Sequence, residues 1–285
     1  MAEIPYVPQP TELPARYAHG PDSFAQPGVP RGELHEHAWT ESRVFPGTRR
    51  RYWVYVPAQY TAARPASLIV FQDAAWYTSL DFEVRAPIVL DNLVHKDELP
   101  VTVAVFVEPS ENRNAEYDAF GDAYATFLLD EIIPAVRSDY AITDDPDEWA
   151  IAGGSSGGNC AFTVAWFRPD RFRRVYCASG SFVQMPGGNP YPQLIRATPR
   201  KPLRIWLQAA TRDLNWNKPS SNWLSANLRV AAALAEAGYD FRLVVGDGGH
   251  DGNHGGVLLP DALRWLWRAR GGDDAITVGA RPRPR

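Results

Sequence analysis

The chain has little of what nucleic-acid, metal and membrane proteins need. Its 29 Lys and Arg stand against 33 Asp and Glu, for a net charge of −4. There is no basic stripe and no run of like charge, so no nucleic-acid partner is expected. Only two cysteines occur, Cys160 and Cys177. Neither belongs to a C-x-x-C pair, so no metal is expected; both lie in apolar stretches that suit buried, reduced thiols. No segment reaches 18 apolar residues, so no membrane partner is expected either. The opening MAEIPYVPQPTELPARY lacks an apolar core and a basic start, so no signal peptide is expected and the expected location is the cytoplasm.

What is present is a core. Of 285 residues, 45% are apolar and 12% aromatic, with ten tryptophans. That suits one large α/β domain. Residues 1–38 are rich in Pro and Gly without periodicity and read as an extended arm. Residues 39–271 read as the folded domain, and 272–285 as a disordered tail. Within the domain, short apolar runs predict strands at 50–57, 67–72, 101–107, 148–153, 173–179, 203–210 and 239–246. Helical spacing predicts helices at 84–94, 120–136, 157–167 and 222–238, the last closed by Gly238. A final helix over 260–269 opens on Pro260. This alternation predicts an α/β fold: a mostly parallel sheet with helices on both faces. The first two predicted strands have no helix between them, which predicts an antiparallel N-terminal edge.

The stretch AIAGGSSGGNC, residues 150–160, lies between a predicted strand and a predicted helix. A dinucleotide fingerprint would come earlier in the chain with other spacing, and a Walker loop needs a Lys that is missing. The remaining reading is a nucleophile elbow, G-x-S-x-G, where small neighbours let strand and helix meet at a strained serine. Two frames match, with Ser155 or Ser156 as nucleophile. Ser155 is favoured, because Gly157 and Gly158 then follow it where the helix packs on the sheet.

In such an enzyme the acid and then the histidine follow the serine. Asp213 comes just after the strand at 203–210, and His250 lies in the loop DGGHDGNHGG before the last helix. Asp213 would orient His250, and His250 would move the proton of Ser155. His254 lies four residues on, and Asp247 and Asp251 could serve it or the loop alone. Asp213 could instead be a solvated loop acid. Ser156 N–H and, from QDAAWY, Ala75 N–H or else Ala74 N–H are candidate oxyanion donors. Trp76 and Tyr77 would then wall the pocket. Arg113 and Glu116, beyond a strand end, are candidate substrate contacts, with a solvated loop as the alternative. Trp216 and Trp223 flank the acid loop and could stack on an aromatic or sugar group, or simply pack.

These residues resemble the esterase D and enterochelin esterase branch of the α/β-hydrolases. The likeness is carried by LIVFQDAAWY, AGGSSGGNCAFTVAWFRPDRF and GDGGHDGNHGGVLLPDALRWLWR, and it covers most of the chain. It implies an α/β-hydrolase fold and a cofactor-free serine esterase, with Ser155 as nucleophile, Asp213 as acid and His250 as base. The branch more often has Gly where this chain has Ala74. Its trilactone hydrolases carry an added N-terminal domain, for which residues 1–60 are too short. The expected substrate is therefore a small or aromatic ester of acetyl or feruloyl type, hydrolysed through an acyl-enzyme. A siderophore trilactone and acyl transfer to an alcohol or sugar are the alternatives, a non-catalytic binding protein is a third, and a homodimer stays open.

Overall fold

The computed structural model describes residues 14–269. Among them, the strands are β1 (Glu33–Trp39), β2 (Arg50–Val56), β3 (Ser67–Gln72), β4 (Thr102–Val107), β5 (Trp149–Gly154), β6 (Arg174–Ala178), β7 (Arg204–Ala210) and β8 (Asp240–Gly246). They form one sheet in the order β1-β2-β4-β3-β5-β6-β7-β8. β1 with β2 and β2 with β4 are antiparallel; every other pair is parallel. The mostly parallel sheet with an antiparallel edge is thus as expected, but the edge is built otherwise. β2 pairs with β1 and β4, not with β3, and β1 arises inside the stretch read as an arm.

The central strands are apolar throughout because both faces are covered. β3 and β4 are buried at every position. Side chains alternate between two cores, as the period of a strand requires. Leu68, Val70, Val103 and Val105 enter one, and Ile69, Phe71, Ala104 and Phe106 the other.

The helices are α1 (Ala74–Thr78), α2 (Ala86–His95), α3 (Arg113–Tyr117), α4 (Ala123–Phe127), α5 (Ile133–Asp139), α6 (Ser156–Phe167), α7 (Tyr191–Ala197), α8 (Trp223–Glu236) and α9 (Asn253–Trp267). A π-turn over Leu128–Ile132 joins α4 to α5, just ahead of Pro134, which has no N–H to give to the ladder. Gly238 follows α8 at φ 68°, the left-handed closure expected of it. The last helix departs from expectation: it begins at Asn253, and Pro260 lies inside it. Gly255 and Gly256, which read as loop, are helical, and they let the first turn of α9 pack closely: Gly256 lies against Glu83–Val84 and Gly255 against Tyr176 and Ala178. The tail at 272–285 lies outside the described residues.

β3 leads to β4 on one side, and the chain then crosses to β5 on the other side of β3. The sheet therefore has its switch point between β3 and β5, where the crevice at the strand ends receives ligands. The residues just past these two strands are Asp73 and Ser155.

A methyl group at Gly256 would stand 1.8 Å from the Glu83 carbonyl oxygen. Gly256→Ala is expected to cost about 3 kcal/mol, because backbone must move. Urea unfolding measures this, and an unchanged midpoint would dismiss the packing argument.

Candidate active site

Ser155 joins β5 to α6 with φ 58° and ψ −128°, a conformation that costs a non-glycine residue about 1–3 kcal/mol. Several bonds hold it there. Its N–H donates to Ala178 O at 2.8 Å, and its carbonyl accepts from Gly158, Asn159 and Ser181 N–H. The glycines two before and two after it are sterically required. A Cβ on Gly153 would lie 2.2 Å from Gly157 O, and one on Gly157 would lie 2.7 Å from the Asp73 carboxylate. At Gly154 the same atom would meet only ordinary contacts.

Ser155 Oγ lies 3.0 Å from His250 Nε2, and His250 Nδ1 lies 2.5 Å from Asp213 Oδ1. Donation of Nδ1–H to the carboxylate leaves Nε2 as an acceptor for the serine hydroxyl. Asp213, buried just past β7, also accepts Leu214 N–H at 2.7 Å through the same oxygen. The other serine has different company. Ser156 Oγ donates to Asp118 at 2.8 Å, and Asn159 and Ser181 donate to the same buried carboxylate. Ser156 N–H opens α6 and so stands outside the intrahelical ladder.

The remaining expected residues divide. Trp76, Tyr77 and Arg113 line a cavity of about 210 Å³ together with Ser155, His250, Tyr176 and Val84. Arg113 grips Asp73 with two bonds, of 2.6 and 2.7 Å, at its wall. Glu116 is elsewhere. It pairs with buried Arg50 at 2.9 Å and lines a separate cavity of about 370 Å³ bounded by Phe45, Tyr117, Tyr124 and Val164. Arg113 and Glu116 sit three apart on α3, and the helix divides them between the two cavities. Trp223 is fully buried and meets the His250 ring edge-on at 4.6 Å, so it supports the imidazole and offers no face to a substrate. Trp216 lies under the Arg212 guanidinium at 4.5 Å and is not part of the cavity wall. Ala75 N–H donates to the Glu108 carboxylate at 3.0 Å and faces away from the cavity. Ala74 directly follows Asp73 at the start of α1 and is fully buried.

His254 is buried, stacks on Tyr17 at 4.3 Å and lies 3.1 Å from Gln208 Nε2. It is a packing residue. Among the described residues no group of three or more His, Cys, Asp or Glu could hold a metal, and no helix is long and apolar enough to cross a membrane. Sequence reasoning missed Asp73, Asp118 and Glu83. Asp73 alone carried a signal, standing at the end of β3 where an oxyanion loop begins.

Two predictions follow from this geometry. Ser156→Ala removes one bond to a buried carboxylate and is expected to cost about 2 kcal/mol in denaturant unfolding. Because Ser155 and His250 are untouched, activity should hold within about threefold, and a larger loss would show that Ser156 Oγ takes part in turnover. The second concerns pH. Burial lowers the His254 pKa below 6.5, with Asp251 and Asp247 pulling weakly upward. The folded protein thus favours neutral imidazole. Its contribution is complete above pH 6.5 and is lost as pH falls. His254→Gln should therefore lose less stability than the parent between pH 7 and pH 5. Equal losses in urea unfolding would refute this assignment.

Comparison with known proteins places the chain in a family. The model of the family described as "Putative esterase" matches residues 43–266. The iron(III) enterobactin esterase of Dickeya dadantii (strain 3937) is 26% identical over 246 residues, which is 76% of this chain and 52% of that protein. The crystal structure of the ferric enterobactin esterase of Salmonella typhimurium superposes with TM-score 0.72 at 24% identity, covering 89% of this chain and 62% of that one. The ferulic acid esterase of Anaeromyces mucronatus in complex with ferulic acid superposes with TM-score 0.69 at 16% identity, covering 85% and 93%. The chain spans about half the length, or less, of the curated enterobactin esterases it matches in sequence. At these identities the two structures speak for the α/β-hydrolase fold. The family match spans most of the domain and contains the elbow, the acid and the histidine, so the chain belongs to the putative esterase family.

Proposed function

We propose that this protein hydrolyses carboxylic esters through an acyl-enzyme on Ser155. The observation that carries the reading is the unbroken line from Ser155 Oγ to His250 at 3.0 Å and from His250 to buried Asp213 at 2.5 Å, at the switch point of the sheet. Ser155 Oγ attacks the ester carbonyl as His250 Nε2 takes its proton. Asp213 holds the tautomer and stabilises the imidazolium. The tetrahedral oxyanion is received by Ser156 N–H, with Ala74 N–H as the second donor. Collapse expels the alcohol, which takes the proton from His250. Water, deprotonated by the same imidazole, then cleaves the acyl-serine and restores the hydroxyl.

The cavity supports a small or aromatic acyl group. Its volume of about 210 Å³ is below the usual ~300–1,000 Å³ of ligand pockets. Its walls carry the rings of Trp76, Tyr77 and Tyr176. Trp76 is 47% exposed and meets the exposed ring of Phe82 edge-on, which extends an apolar rim beyond the cavity. A siderophore trilactone is the second reading. It is favoured by the enterobactin esterases among the relatives, and disfavoured by the small cavity.

Labelling with a fluorophosphonate, followed by peptide mass spectrometry, tests the mechanism. A single adduct on Ser155 is expected, and none in Ser155→Ala, whose turnover should fall at least about 10⁴-fold. An adduct on Ser156 would overturn the assignment of Ser155, and no adduct on the parent would overturn the enzyme reading. A panel of p-nitrophenyl acetate, methyl ferulate and enterobactin separates the substrate readings. The first two are expected to give the higher kcat/KM.

A further inference from the structure

The loop that carries His250 is rich in glycine. Four of the seven residues from 246 to 252 are glycine, the residue with the most backbone freedom to lose. Yet His250 Nε2 must stay within about 0.5 Å of its place beside Ser155 to act as a base. Something outside the loop has to hold it.

We propose that the N-terminal segment at residues 14–17 is a clamp on the catalytic loop, with Tyr17 as a positioning residue for His250. The proposal rests on the reading of His250 as the base of the Ser155 reaction. The contacts fall on both ends of the loop. At its start, Ala15 N–H donates to Asp247 O at 2.8 Å, and Asp247 N–H donates to the Tyr17 hydroxyl at 2.7 Å. At its end, Tyr17 N–H donates to Asn253 Oδ1 at 2.7 Å, and Asn253 Nδ2 donates back to Tyr17 O at 3.0 Å. The Tyr17 ring stacks on His254, which is tied in turn to Gln208 on β7. Pro14 packs beside Gly249, the residue before His250, where a Cβ would lie 3.2 Å from its ring. Arg16 reaches Glu83 at 2.7 Å, and the other oxygen of Glu83 accepts Gly252 N–H at 2.6 Å.

The loop's remaining ties do not replace this. Thr211 N–H donates to Gly246 O at 2.8 Å, Arg212 N–H donates to Gly248 O at 3.1 Å, and Thr211 Oγ1 donates to Asp247 Oδ1 at 3.0 Å. These come from the strand side, and Asp213 and Trp223 touch the imidazole itself and not the loop backbone. Tyr17 bonds residues on both sides of His250, Asp247 before it and Asn253 after it, so it fixes the span of the loop as well as its base. A segment some 230 residues away in sequence thereby sets the position of the imidazole.

The test uses the full chain with Tyr17→Phe, which loses only the hydroxyl, and Tyr17→Ala/Asn253→Ala, which loses the ring and both backbone ties. Steady-state kinetics and amide hydrogen exchange of residues 247–253 are read together. The double variant is expected to lose about 10²-fold in kcat with KM within about threefold, since a small misplacement of a catalytic group costs that much. Exchange across the loop should accelerate. Tyr17→Phe should free the Asp247 amide and lose a few-fold in kcat, and it decides the matter should the double variant fail to fold. A folded variant with a lowered Tm, parental kcat and unchanged loop exchange would make the segment a mere brace and overturn the proposal. Failure of the parent to label with fluorophosphonate would instead sink the esterase reading, while loop exchange would still test the clamp.

Discussion

Everything at the strand ends depends on how closely α6 approaches β5. The two backbones meet where Gly153 faces Gly157, with no room for a side chain between them. That approach forces the intervening Ser155 into a left-handed conformation and lifts its hydroxyl out of the sheet. It also brings the α6 N-terminus under the carbonyl that Ser155 would attack, where oriented N–H groups favour negative charge. Strain of this kind persists only where its surroundings over-determine it. Here they do so through the bond to Ala178 O and the three N–H groups that converge on the Ser155 carbonyl.

Three carboxylates near the elbow are each engaged by neighbouring donors. Asp73 stands beside Gly157, but its charge is matched by a two-bond pair with Arg113. Asp118 is buried beneath the elbow, and its oxygens are taken by Ser156, Asn159 and Ser181. Glu108 accepts from Ala75 N–H on the far side of α1. Each acid therefore spends its acceptor capacity on structure. A hydrogen bond to a carboxylate adds modest net stability but is costly to remove where the group is buried, which suits these acids to holding shape.

The buried half of this architecture was legible in the chain. β3 and β4 show as continuous apolar runs because both of their faces are covered, and the elbow shows because its glycines answer a steric need. Asp213 and His250 could be placed by chain order alone. What was not legible depends on contacts distant in sequence, or on residues that look alike in different settings. β1 has wet faces, so ELHEHAW carries no apolar alternation and passed for arm. The first turn of α9 was hidden by Gly255 and Gly256, whose smallness serves packing, of Gly255 against Tyr176 and Ala178 and of Gly256 against Glu83 and Val84. Arg113 and Glu116 lie three residues apart, and nothing local says that α3 sends them to different cavities. Trp223 could have been a stacking platform or a buried support; the fold of α8 decided for the support. Asp118 and Tyr17 had no local signal, since their partners lie 38 and 236 residues away.

The two cysteines have a chemical consequence of their own. Cys177 sits on β6 directly under the elbow, so that a Cβ on Gly158 would come within 3.1 Å of its sulfur. Burial pushes its thiol up to about 12, and burial raises that of Cys160 as well. Oxidants and alkylating agents attack thiolates, so neither sulfur offers them a target while the fold is intact. The proposed nucleophile is an oxygen, its proposed partners are an imidazole and a carboxylate, and the sulfur beneath them is sealed from solvent. A site of that kind would be indifferent to the redox poise of its surroundings, and thiol reagents would probe unfolding instead of catalysis.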